Sequence, residues 1–79
     1  MSILLSDLKI GDKAIIVDVN IEEIPLKLLE MGCLPGNTVE LIQIAPFGDP
    51  YYFNINDSHV AIRKETAIEI NVVIENQLV

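Results

Sequence analysis

A mainly β fold, a small SH3-like barrel of about five strands with one or two short helices, is the class this sequence predicts. Three observations lead to it: five short runs rich in β-branched and aromatic residues, tight-turn residues between them, and only one stretch with helical spacing. With 79 residues and 51% apolar content the chain makes one domain, read as 1–79 with its core over about 5–75. Closing a sheet of short strands, fully or nearly, removes the edges that otherwise invite aggregation.

Leu5-Ser6-Asp7-Leu8-Lys9 reads as a single turn that Ser6 or Asp7 can cap, with Leu5 and Leu8 three apart and directed into the core. Gly11-Asp12 breaks it. Lys13 to Val19 is the first long strand, with Ile15, Val17 and Val19 on one face. The helix lies between Pro25, expected at its first position where a missing N–H costs nothing, and Gly32, just past its end. Ile24, Leu28 and Met31 form its buried stripe, and Glu22 and Glu23 sit at the positive end of its dipole.

Leu34-Pro35-Gly36 supplies a turn, with Pro at the first central position and Gly taking positive φ at the second. Thr38 to Ala45 is a strand whose apolar phase slips between Leu41 and Ile42, which predicts a β-bulge. Pro46 to Pro50 is a loop. Tyr51 to Ile55 is a strand, Asn56-Asp57 or Asp57-Ser58 a tight hairpin turn, and His59 to Arg63 the returning strand. Glu65-Thr66-Ala67 reads as a short turn. Ile68, Ile70, Val72 and Ile74 alternate with Glu69, Asn71 and Val73 as the last strand, and Gln77-Leu78-Val79 is expected to fray.

Composition excludes several functions. Twelve acidic against five basic residues leave a net charge of −7, and the only basic pair is Arg63-Lys64, so neither nucleic acid nor a bare anionic lipid surface is an expected partner. Cys33 is the only cysteine, which rules out an intramolecular disulfide and fits a reducing compartment. The N-terminus lacks the basic and long apolar regions of a signal peptide, and no apolar run approaches the ~18 residues that span a bilayer, so a cytoplasmic location without membrane insertion is expected. One His, one Cys and no GxSxG, P-loop or HExxH arrangement leave catalysis unexpected.

The remaining candidates concern metal and partner binding. His59, Cys33 and Asp57 are plausible ligand types for weak Fe(II) or other divalent-metal binding, but their spacing does not describe a dedicated site, and no cofactor is expected. His59 should be exposed and Cys33 a small packed hydrophobe. All four aromatics fall within seven residues, Phe47, Tyr51, Tyr52 and Phe53. Tyr51 and Phe53 share one strand face and Tyr52 points to the other, so at least one tyrosine should be exposed at an interface. Leu26, Leu29 and Met31 add apolar surface beyond what one short helix buries, available to a partner or to a second copy in a weak homo-oligomer. Arg63 reads either as a contact for an acidic segment or as an ion-pair partner of Glu65 or Glu69.

Four segments, Leu5-x-x-Leu8-x-x-Gly11, Leu28 to Gly36 (LLEMGCLPG), Ala45 to Pro50 (APFGDP) and Ala61 to Ala67 (AIRKETA), resemble the FeoA family in order and spacing. The resemblance spans about Leu5 to Val73. It implies an SH3-like barrel with a helix inserted after the first strand. It also implies a small accessory or regulatory protein of bacterial ferrous-iron uptake, acting on the cytosolic side of the FeoB transporter. Partner contacts would come from Leu26, Leu29, Met31, Phe47, Tyr51, Tyr52 and Arg63. Similar barrels end the iron-dependent repressors, so a regulatory SH3-like domain of that kind is the alternative, with a weak transition-metal binder as another.

Overall fold

The computed structural model describes residues 1–75 of the chain, and the expected fraying of Gln77 to Val79 lies outside them. Six strands, β1 (Ile3–Leu4), β2 (Lys13–Val19), β3 (Thr38–Ile44), β4 (Tyr51–Ile55), β5 (Ser58–Ile62) and β6 (Ile70–Ile74), form one antiparallel sheet in the order β1-β6-β2-β3-β4-β5. The sixth strand is the two-residue β1, too short to show alternation in the sequence. β1 and β5 are the two end strands, so the barrel is open between them among the described residues. Two short α-helices, α1 (Leu26–Glu30) and α2 (Lys64–Ala67), and two 3-10 turns, Leu5–Asp7 and Ile21–Glu23, are the other regular elements among the described residues.

Among the described residues the buried side chains are those of apolar residues, with Leu5, Ile16, Leu41, Phe53, Ile55 and Ile70 fully enclosed. Leu5 and Leu8 both enter it from the first turn, where the Leu4 N–H donates to Asp7 Oδ2 at 3.0 Å. Both halves of the sheet keep their apolar face inward with the help of a bulge. In β3 the register against β4 shifts between Leu41 and Gln43, leaving Ile42 as the extra residue, where the apolar phase slip predicts it. A second bulge in β2, between Ile16 and Asp18, corrects the expected face of Ile15, Val17 and Val19. Ala14 and Ile16 point inward, Ile15 and Val17 outward, and the extra residue then turns Val19 in.

Two element boundaries also differ from the sequence reading. Pro25 has φ −56° and ψ 138°, which places it at the N-cap of α1 rather than at the first helical position. Ile68 belongs to the end of α2, with φ −70° and ψ −11°, and is exposed, so β6 begins only at Ile70. The helical turn wins locally because the Lys64 N–H is capped by Asp49 Oδ1 at 2.8 Å.

Gly32 ends α1 with φ +104°, and a Cβ there would stand 3.3 Å from Asn56 Cβ, so both backbone and space ask for glycine. Its carbonyl accepts from Asn37 Nδ2 at 2.7 Å. The helix end is thereby tied to Asn37, just before β3, and lies against the β4–β5 turn, where Asn56 (φ 53°) and Asp57 (φ 67°) take the paired positive φ values of a type I′ hairpin. Phe53 is the largest fully buried side chain, and Phe53→Ala should lower stability by about 3–5 kcal/mol, measured as a shift in the urea midpoint at unchanged m-value.

Candidate functional site

The exposed aromatic residues converge on one end of the β3–β4–β5 region. The loop between β3 and β4 is closed on itself, the Ala45 N–H donating to the Pro50 carbonyl at 3.0 Å and the Gly48 N–H to the Ala45 carbonyl at 2.7 Å. Phe47 stands at its tip, 99% exposed. Burying such a ring is worth about 1.5–3 kcal/mol, so leaving it in water is a standing incentive for contact. The Asp49 cap on α2 brings this loop against the start of that helix, beside the exposed Arg63 and Lys64. Tyr51 pairs with Ile62, which sets Arg63 at the same end of the sheet.

Tyr52 is 41% exposed on the outer face of β4, opposite Ala61 of β5 and next to Gln43 of β3. A shallow, mostly apolar groove of ≈ 430 Å³ runs there, lined by Ile42, Tyr52, His59 and Ala61 among others. Ile42 is the contributor that the sequence reading missed. The signal for it is plain alternation: Ile42 follows the inward Leu41, so it lies on the outer face at the point where the phase slips.

Other expected contact residues are distributed differently. Tyr51 is only 7% exposed and packs on Phe53, ring centroids 6.1 Å apart, so it is a core residue and not a contact residue. Leu29 and Met31 are half-buried against the core, and of the three helix residues only Leu26, 68% exposed, is free for a partner. Gly32 lies against Asn56, at the end of β4 away from Tyr51. The C-terminal end of the helix and the Phe47 loop are therefore separated by the length of β4, about 13 Å at strand rise, and do not form one continuous surface through that end.

The metal-ligand candidates are not gathered. His59 is exposed on β5, Asp57 is in the hairpin turn, and Cys33 is 1% exposed inside the core. Among the described residues no three His, Cys, Asp or Glu side chains are placed to share an ion. Burial pushes the Cys33 thiol from 9.0 up to about 11, which keeps it protonated and unreactive at neutral pH. A second, polar cleft of ≈ 440 Å³ near Gly36 mixes Lys13 with Glu40, Asn54 and Glu75. No helix is long and apolar enough to cross a membrane among the described residues.

Comparison with known proteins adds an independent finding. Residues 3–74 match the family model described as FeoA domain. The chain is 44% identical over 69 residues, 86% of its length, to the Fe(2+) transport protein A/Fe(2+) transporter FeoB fusion protein of Porphyromonas gingivalis, and spans 8% of that relative's length. It is similar to the solution structure of iron(II) transport protein A from Clostridium thermocellum, with a TM-score of 0.76 at 36% identity, covering 91% of this chain and 45% of that one. Two further structures share the fold alone: the zinc complex of Stenotrophomonas maltophilia FeoA, called an SH3 domain protein (TM-score 0.72, 24% identity, covering 92% and 89%), and IdeR of T. acidophilum (TM-score 0.80, 17% identity, covering 94% and 34%).

The buried thiol gives a signed pH dependence. Below pH 9 Cys33 is protonated folded or unfolded; between pH 9 and about 11 the unfolded chain ionises first, which favours unfolding. Its contribution to stability is thus full below pH 9 and lost as pH rises through 11. Urea midpoints of the wild-type chain should fall more steeply over that window than those of Cys33→Ala, and iodoacetamide should label the folded thiol far more slowly than the unfolded one.

Proposed function

The chain belongs to the FeoA domain family, and from that premise we propose that it is a non-catalytic binding module of ferrous-iron uptake that contacts the cytosolic side of an FeoB-type transporter. The observation that carries this reading is the fusion: in the P. gingivalis relative an FeoA-like segment and FeoB share one polypeptide. A covalent link holds two modules at high effective concentration and in one-to-one ratio, so even a weak contact between them is maintained.

The contact surface proposed is the loop end of the sheet: Phe47 as the apolar anchor, Tyr52 beside it, and Arg63 as the charge that meets an acidic segment. Aromatic and Arg side chains carry most binding energy in small interfaces, and a patch this size suits transient association. Leu26 offers a smaller, separate contact. An otherwise acidic protein that keeps its one basic pair beside its most exposed phenylalanine can orient a partner by charge as well as by apolar burial.

Phe47→Ala combined with Tyr52→Ala should leave the urea midpoint close to that of the wild-type chain and weaken binding to the transporter's cytosolic domain at least about tenfold. An amide NMR titration of this chain with that domain should move signals of the Phe47 loop and Tyr52 first. Shifts confined to the surroundings of Leu26, or no shifts at several-fold excess, would defeat this surface.

A further inference from the structure

The strand at the open edge of the sheet has an unused half. Among the described residues, β5 is hydrogen-bonded to β4 alone. Its two-residue turn makes Ile55 and Ser58 a hydrogen-bonded pair, so Phe53–Val60 and Tyr51–Ile62 are hydrogen-bonded pairs as well. His59 and Ala61 occupy the alternate positions, and their N–H and C=O groups therefore point away from β4. Neither residue's main chain has a hydrogen-bond partner in a turn, loop or side chain among the described residues, and both residues are exposed. Ser58-His59-Val60-Ala61-Ile62 also lacks the proline or lysine that usually guards such an edge.

We propose that two copies of this chain associate through β5, antiparallel, about a two-fold axis at Val60. This register is favoured over its neighbours by the chain's own main-chain groups. Centred on Val60, His59 faces Ala61 of the second copy and Ala61 faces its His59, so both outward-pointing residues exchange hydrogen bonds on each side. Centred on His59, Ala61 would face Asp57, which lies in the turn at φ 67° and cannot continue a ladder. Centred on Ala61, His59 would face Arg63, whose carbonyl already accepts from the Thr66 and Ala67 N–H groups at 2.9 Å.

Side chains in this register are complementary. Beyond the ladder at either end, Arg63 of one copy comes to the side of the turn residue Asp57 of the other, twice by symmetry, which brings opposite charges near each other. Next to the axis the large His59 faces the small Ala61 on the outer face, so no two bulky groups meet. The groove lined by Ile42, Tyr52 and Ala61 would then run across the joined sheets, with His59 of the second copy at its border. A five-residue strand pair is a small interface, so the association should be weak and reversible. Arg63 also belongs to the partner surface proposed above; the test uses this chain alone, so its failure leaves that proposal standing.

Sedimentation equilibrium of the 79-residue chain from about 10 µM to about 1 mM should show a monomer–dimer equilibrium within that range. Amide exchange followed over the same concentrations should slow at His59 and Ala61, and change far less at Val60 and Ile62, which already donate to β4. Ala61→Pro removes an outward N–H and should weaken association at least about tenfold. Arg63→Glu, which brings like charges near each other without touching the core, should weaken it about threefold or more, and it carries the test if the proline variant fails to fold. A chain that stays monomeric to 1 mM, that dimerises while His59 and Ala61 exchange unchanged, or that is indifferent to both substitutions overturns the proposal.

Discussion

One constraint governs this molecule: a very short chain must turn every long strand's apolar face inward, because no disulfide supplements the core. Side-chain alternation permits no slack, since a shift of one residue exchanges the inner and outer sets. The strands have to curve as well, and curvature interrupts alternation. Two bulges reconcile these demands, one after Ile16 in β2 and one at Ile42 in β3. Each inserts an extra outward residue and lets the following apolar residue resume its inward place.

The surface follows from that arrangement. Val17 and Ile42 follow the inward Ile16 and Leu41 and are exposed by alternation, and each bulge keeps the next residue, Asp18 or Gln43, outside as well. Ile42 lies beside Tyr52 and helps make the groove on the outer face, while Tyr51, one position away, is committed to the core against Phe53. Adjacent tyrosines thus have opposite fates, and the difference between packing and contact is set by strand parity. The Phe47 loop is held to α2 by Asp49, which carries the aromatic end of the molecule to its basic pair.

Much of the fold was legible in the sequence for identifiable reasons. The hairpin announces itself because Asn56-Asp57 can take two successive positive φ values, and the β3 bulge because its apolar phase visibly slips. The bulge in β2 left no such trace: with Ile15, Ile16, Val17 and Val19 all apolar, either face could have been the inner one, and only tertiary packing decides. β1 was invisible because two residues carry no period. Ile68 reads as part of β6 because it continues the alternation of Ile70 and Val72, and the cap that starts α2 comes from Asp49, 15 residues before Lys64 in sequence. At the candidate site, parity predicted one exposed tyrosine but could not say which, and the helix contributed less free surface than its composition suggested, since Leu29 and Met31 turn against the core.

The Asp49–Lys64 hydrogen bond has a consequence for how the Phe47 loop can meet another molecule. A loop that is closed by its own main chain and pinned to a helix has already surrendered most of its conformational entropy during folding. Docking it therefore imposes little further ordering, but it also deprives the loop of any means of adapting. Shape must be accommodated by whatever it touches, so divergence between two such lineages should be absorbed on the opposing surface while the loop itself drifts slowly.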